Sequence, residues 1–169
     1  MVQLHRLDGG VEVLIRPIRP SDKGLLSRGL SRLSLKSAYA RFLAPKPRFT
    51  AEELRYLTEV DGISHVALVA VAADDPSRLA GVGRYVRLKD DPQTAEIAIV
   101  VADDLQGQGL GNHLGVLLTE HARVGGIKRF VAHMLSDNVA AHRLFQRISA
   151  NLTTEHDSGV DLLSVPLAA

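Results

Sequence analysis

Apolar and polar positions change period several times along the 169-residue chain, and each change marks an element. Residues 11–17 (VEVLIRP) alternate as a strand does. Pro20-Ser21-Asp22 then offers an N-cap to a helix that carries Leu25, Leu26, Leu30 and Leu33 on one face. A second helical stretch over residues 35–42 stops ahead of Pro45 and Pro47, and Thr50-Ala51-Glu52-Glu53 has the spacing of a capping box that opens a short helix with Leu54 and Leu57. From His65 the period is two. Residues 65–73, 79–88 and 94–102, separated by the turn-formers Asp74-Asp75-Pro76-Ser77 and Lys89-Asp90-Asp91-Pro92, predict three adjacent antiparallel strands. Leu110, Leu114, Leu117, Leu118, His121 and Ala122 mark a helix laid on a sheet and stopped by Gly125-Gly126. Residues 129–134 read as a strand, Asn138 caps a helix with Ala141, Leu144, Phe145 and Ile148 facing inward, and residues 152–155 and 160–165 close the chain as strands. The order β-ααα-βββ-α-β-α-ββ predicts an α/β fold: a mixed, mostly antiparallel sheet of about seven strands with helices on both sides.

No repeat or linker-like tract interrupts this pattern, so residues 1–169 are expected to form a single domain. Composition narrows the function. Twenty basic against nineteen acidic residues give a formal charge of +1, so nothing in the balance points to nucleic acid or to a membrane surface as partner. The chain has no cysteine, which excludes disulfides, thiolate metal sites and cysteine nucleophiles together. Residues 1–10 lack the apolar stretch of a signal peptide and the longest apolar runs, such as residues 66–73, are strand-sized; the expected compartment is the cytoplasm.

The most informative segment is AEIAIVVADDLQGQGLGN, residues 95–112. A strand feeds a loop with Gly107, Gly109 and Gly111, and the loop opens directly into an amphipathic helix. Glycines at this spacing let successive N–H groups face one point, where the helix dipole adds roughly half a positive charge. The expected ligand is a diphosphate held by backbone; the alternative is a glycine-rich connection with no ligand. A P-loop is excluded because no Gly-Lys-Ser/Thr follows, and the dinucleotide fingerprint fails because Asn112 stands where its third glycine belongs.

Gln106-Gly107-Gln108-Gly109-Leu110-Gly111 resembles the central signature, Gln/Arg-x-x-Gly-x-Gly/Ala, of the GNAT superfamily of acetyl-CoA-dependent N-acetyltransferases. The resemblance extends over nearly the whole chain, through Ile15-Arg16-Pro17 to Asp22, the order of elements, and the Asn-led helix. It implies that Gln106, Gly107, Gln108, Gly109, Leu110, Gly111 and Asn112 hold the pyrophosphate of coenzyme A, that the backbone of Ile99, Val100 and Val101 pairs with the pantetheine amides, and that Asn138 contacts the pantetheine arm. Within the superfamily, residues 33–42, the Thr50 helix and residues 65–70 resemble bacterial protein lysine acetyltransferases, so the implied partners are acetyl-CoA and an amine acceptor, most readily a protein lysine.

Glu96 interrupts a strand that is otherwise apolar on both faces. Burying an unpaired carboxylate there would cost several kcal/mol or favour its protonated form, and a carboxyl so placed is a good general base near neutrality. It stands five residues from Val101, roughly 17 Å along an extended strand, a span suited to pantetheine. The resemblance places a catalytic Glu at this position; the alternative is a carboxylate paired with Arg84 or Arg87. A tyrosine that protonates the departing thiolate in many GNAT enzymes is replaced by Phe145, and the Gly-Phe that usually ends that helix by Ser149-Ala150. That leaves water, His133, Ser136 or His142 to help. It also leaves two rival readings, a non-catalytic acyl-CoA-binding module and a small-molecule amine acetyltransferase. Arg143 and Arg147, one turn apart, are candidates for the 3′-phosphate of coenzyme A or form a solvated stripe; Lys36, Arg41, Lys46 and Arg48 either greet an acidic partner or are simply surface. The seven histidines lack metal-ligand spacing, so no metal is expected.

Overall fold

The computed structural model describes residues 1–168. Its elements are β1 (Gln3–Arg6), β2 (Glu12–Pro17), α1 (Lys23–Arg32), α2 (Leu35–Phe42), α3 (Ala51–Thr58), β3 (His65–Ala72), β4 (Asp75–Arg87), β5 (Thr94–Val101), α4 (Leu110–Val124), β6 (Arg129–Leu135), α5 (Val139–Ile148), β7 (Thr153–Asp157) and β8 (Val160–Pro166). The strands form one sheet in the order β1-β2-β3-β4-β5-β6-β8-β7. Every neighbouring pair is antiparallel except β5 and β6. No helix among the described residues is long and apolar enough to cross a membrane.

The α/β reading holds, with one strand more than expected. Residues 3–6 carry no alternating apolar face, and β1 is an edge strand held by its pairing to β2, Gln3 opposite Ile15 through Arg6 opposite Glu12. β4 also begins four residues earlier than its pattern suggests. The register slips between Ala70, Val71 and Ala72 because Val71 faces Leu79 while Ala72 faces Asp75, so Pro76 falls in a bulge where its missing N–H costs no ladder bond. The Thr50 capping box forms as predicted, with Glu53 N donating to Thr50 Oγ1 at 3.1 Å and Thr50 N to Glu53 Oε1 at 3.0 Å.

Two cores result, one on each face of the sheet. Tyr85, Phe130, Leu110, Leu114, Leu118, Phe145 and Leu163 fill the face covered by α4 and α5, while Ile18, Leu26, Ala67, Val69 and Val82 lie under α1 and α3. Phe145, 4% exposed, is core. The β2–α1 connection is fixed by a buried ion pair: Arg16 Nη1 and Nη2 each donate to Asp22 at 2.8 Å, and Arg19 N adds a third bond at 2.7 Å. Burial opposes ionisation of Asp22, but the Arg16 guanidinium and the Arg19 amide outweigh it and hold the carboxyl below its ordinary range.

Candidate active site

The one parallel junction is also where the sheet opens. β5 and β6 pair only over Thr94–Arg129, Ala95–Phe130 and Glu96–Val131, and beyond Glu96 the two strands part. Ala102 N donates to Ala80 O at 2.8 Å, so the even-numbered residues of upper β5 direct their backbone groups to β4 and the odd-numbered ones to the gap. Ile99 and Val101 therefore line the gap. Val100 does not: its amide and carbonyl serve the β4 ladder and its side chain lines a pocket on the α1–α3 face.

At the top of the gap, Gly107 (φ +75°) and Gly109 (φ +90°) adopt left-handed conformations that curl the chain into α4. The first α4 amide to meet a carbonyl is that of His113, bonded to Gly109 O at 3.1 Å, and among the described residues the amides of residues 107–112 have no partner. Free donors, the dipole of a fifteen-residue helix and two left-handed glycines make this an anion cradle that fits a pyrophosphate. Gln106 braces the cradle from outside by donating to Val101 O at 3.1 Å and to Ser37 Oγ at 3.2 Å. The β1–β2 turn seats against it, Asp8 N donating to Gln108 O at 3.1 Å. Gly111 lets α4 approach its neighbours, since a Cβ there would lie 3.2 Å from Leu144 Cδ1 and 3.8 Å from Val101 Cγ2.

Glu96 corrects one expectation. It is exposed, not buried, because the pairing that would cover it ends at its own position. Its side chain shares the α1–α3 face with Arg84 and Ala98, as the register Val86–Glu96 and Arg84–Ala98 requires. The alternative ion pair of Glu96, with Arg84 or Arg87, does not form. Arg87 donates to the carbonyls of Pro92 and Gly125, and Arg84 Nη1 donates to Leu57 O and to His65 Nε2, both at 3.0 Å. The latter bond puts the neutral ring's proton on Nδ1. Burial, with the charge of Arg84 added, pushes His65 down to about 4, and burial, with the charge of Arg41 added, pushes Arg84 down to about 10. Burial also lowers Arg41, against the pull of the Glu96 charge.

Arg41 is the residue that sequence reasoning assigned to the wrong place. In the run Lys36, Arg41, Lys46, Arg48 it looked like surface, yet α2 lies across β5 and β6 and turns Arg41 inward over the Phe42 ring, 4.8 Å from its centroid. Lys46 is paired with Glu53, which leaves Lys36 and Arg48 exposed. The inward helical spacing of Ala38 and Arg41 was the available signal.

The other candidates divide. Asn138 Oδ1 accepts from Ala141 N at 3.1 Å, so this side chain caps its own helix. Arg143 and Arg147 are exposed on α5. Ser136 donates to the buried Asp161, and His142 Nε2 lies 3.0 Å from Asp161 Oδ2, though off the line of a hydrogen bond. Both side chains are thus turned to β8. His133 is exposed and, two residues beyond Val131 on β6, shares the face of Glu96. His113 stacks on His5, centroids 3.8 Å apart and planes 4° from parallel, while His121 Nδ1 meets the Tyr85 hydroxyl at 2.9 Å.

This architecture coincides with a known class. A sequence model of the acetyltransferase (GNAT) family matches residues 34–149. The Acetyltransferase Pat of Mycolicibacterium smegmatis is 33% identical over 151 residues, which span 89% of this chain and 44% of that protein, so the chain spans less than half the length of this relative. The GNAT domain of S. lividans PAT superposes with a TM-score of 0.86 at 28% identity, covering 98% of this chain and 97% of that one. The fold is shared too by yncA from Salmonella typhimurium, solved with its cofactor acetyl-CoA, at a TM-score of 0.70, 20% identity and 92% coverage of each chain. The chain belongs to the acetyltransferase (GNAT) family, acyltransferases that draw on acetyl-CoA.

Proposed function

We propose that this protein transfers the acetyl group of acetyl-CoA to an amine, a protein lysine above all, with Glu96 as general base. The observation that carries this reading is the opening of the sheet at Glu96 and Val131, with an anion cradle at its far end and an exposed carboxylate at its apex. The amides of Gly107, Gln108, Gly109, Leu110, Gly111 and Asn112 hold the pyrophosphate, and the free amide and carbonyl of Ile99 with the amide of Val101 pair with the pantetheine amides. Asn138 holds the start of α5 beside the pantetheine, and Arg143 reaches the 3′-phosphate. The thioester then lies near Glu96, and the amine approaches from the face of α1–α3. Glu96 takes a proton from the ammonium, the nitrogen attacks the acetyl carbon, and the coenzyme leaves as thiolate and is protonated by water, since Phe145 offers no hydroxyl. Orientation supplies most of the rate, together with strand N–H groups facing the developing oxyanion.

The protein-lysine acceptor draws support from the open position of Glu96, which a loop of another protein can reach. A cytoplasmic location is part of the same reading. The test is Glu96→Gln: with acetyl-CoA and lysine-bearing proteins, thiol release should fall about 10²–10⁴-fold near neutrality and recover as pH rises toward the lysine range of about 10, with acetyl-CoA affinity unchanged. Equal loss of binding and turnover, or no loss, refutes the role of Glu96. Acetyl-CoA binding with no thiol release for any amine would instead make the chain a binding module.

A further inference from the structure

The site described above uses neither of the two inward-turned guanidiniums, and their surroundings are unusual for charges. Arg84 is 6% exposed and stands in strand β4 under α3. A buried arginine ordinarily has a carboxylate beside it, because its desolvation is otherwise uncompensated. Here the partners are a carbonyl and a neutral imidazole, and both use Nη1. Among the described residues neither Arg84 nor Arg41 forms an ion pair. Both line an apolar pocket of about 60 Å³ between α1–α3 and the β4–β5 face, whose walls include Leu26, Leu30, Phe42, Phe49, Leu57 and Val100.

The structure assigns to this pocket the carboxylate of the acceptor: the amine that reaches Glu96 carries, on a short aliphatic stem, an acid that enters the pocket and pairs with Arg84 and Arg41. This inference rests on the acetyl-transfer reading and names the chemistry of its acceptor. Ala98 lines the pocket and Glu96 is two residues from it on the same face, roughly 7 Å away along the strand, so one ligand can span both. The pocket lies on the face of α1–α3, opposite to α4, which makes the acid a feature of the acceptor and not of the coenzyme's phosphorylated end. Charge points the same way. An ammonium drawn to Glu96 alone meets two like charges, and a companion carboxylate turns that repulsion into attraction. A guanidinium fork matches a planar carboxylate, and the narrow apolar walls suit a stem of two or three methylenes better than a phosphate.

Butyrate is the probe for the pocket. Titrated into the protein with coenzyme A present and followed by NMR chemical shifts, it should bind, and Arg41→Gln should weaken it at least tenfold. Arg41→Lys, which keeps the charge and loses the fork, is the second variant should the first fail to fold, and several-fold weakening is expected. Acceptors are then compared as lysine peptides with a glutamate at each flanking position in turn, each against its glutamine counterpart, and as free amino acids. In at least one register the glutamate peptide should exceed its counterpart tenfold or more in kcat/KM, with the advantage lost in the arginine variant. A preference confined to free amino acids supports the same site with a small-molecule source. Equal rates for glutamate and glutamine, with no butyrate shifts, overturn the inference while thiol release itself continues. Preference for succinyl-CoA over acetyl-CoA that depends on Arg41 also overturns it, by giving the guanidiniums to the acyl donor. If butyrate binds but no amine releases thiol, the carboxylate site stands and the acetyl-transfer reading falls.

Discussion

His65 makes the protein acid-sensitive in a window that can be worked out. In the folded chain His65 is 8% exposed, its ring accepts from Arg84, and it does not protonate until pH falls to about 4; in the unfolded chain it protonates at its ordinary value of 6.5. Because folding depresses this pKa, the unfolded state binds the proton first. Stability is therefore lost as pH falls from 6.5 toward about 4, and no penalty from this residue exists above that window. The gap corresponds to roughly 3 kcal/mol in full, and to about 2.5 kcal/mol at pH 4.5. His65→Gln removes the titration and keeps an acceptor for Arg84. Urea unfolding at pH 7 and pH 4.5 should show the parent losing about 2–3 kcal/mol more than the variant, since the carboxylates common to both cancel. Equal losses would mean that the ring accommodates its proton in place, and the account of a neutral His65 beneath a buried guanidinium would be wrong.

Gly109→Ala forces a side chain into a backbone with φ +90°, a strain of about 1–2 kcal/mol; any relaxation of the cradle that relieves it must be reversed on binding, so acetyl-CoA affinity should drop about five- to thirtyfold in calorimetry, and an unchanged Kd would show that the loop amides do not hold the anion. Asp22→Asn leaves the buried Arg16 guanidinium without its counter-charge and should cost about 3–5 kcal/mol in chemical denaturation. Because folding lowers the Asp22 pKa, its contribution is present above the ordinary carboxylate range near pH 4 and is lost as pH falls through the folded value, so the stability curve of the variant should be flatter at its acid end.

What the sequence revealed and what it hid follow from the range of the forces involved. Periodicity and capping are local, so α1 to α5, β3, β5 and the Thr50 capping box were legible, as was the curl of residues 107–111 into α4, which needs only glycine and the start of a helix. β1 was not, because its apolar pattern is weak and its strand form comes from pairing with β2. Glu96 was misjudged for a related reason. Alternation tells which face a residue shares, but whether that face is covered depends on how far β6 follows β5, and the pairing ends at that residue. Arg41 was hidden in a run of basic residues that a single-sequence reading treats as solvated, until the path of α2 across β5 and β6 turned it inward.

The exposure of Glu96 does more than amend a prediction, because it bears on how two reactants can meet in one sheet. A parallel pair of strands needs a crossover, here α4, whose N-terminus must begin at the upper end of β5; the anion cradle and the opening of the sheet thus have a common topological cause. The crossover and α5 occupy one face, and α1–α3 the other. On the proposed reading the thioester lies in the plane of the sheet, where the strands part, and the amine can reach it only from the α1–α3 face. A carboxylate sealed in the core could not accept a proton from that amine and pass it to water. An exposed carboxylate at the last paired residue can do both, and on the proposed reading the guanidiniums of Arg84 and Arg41 on the same face select which amines arrive.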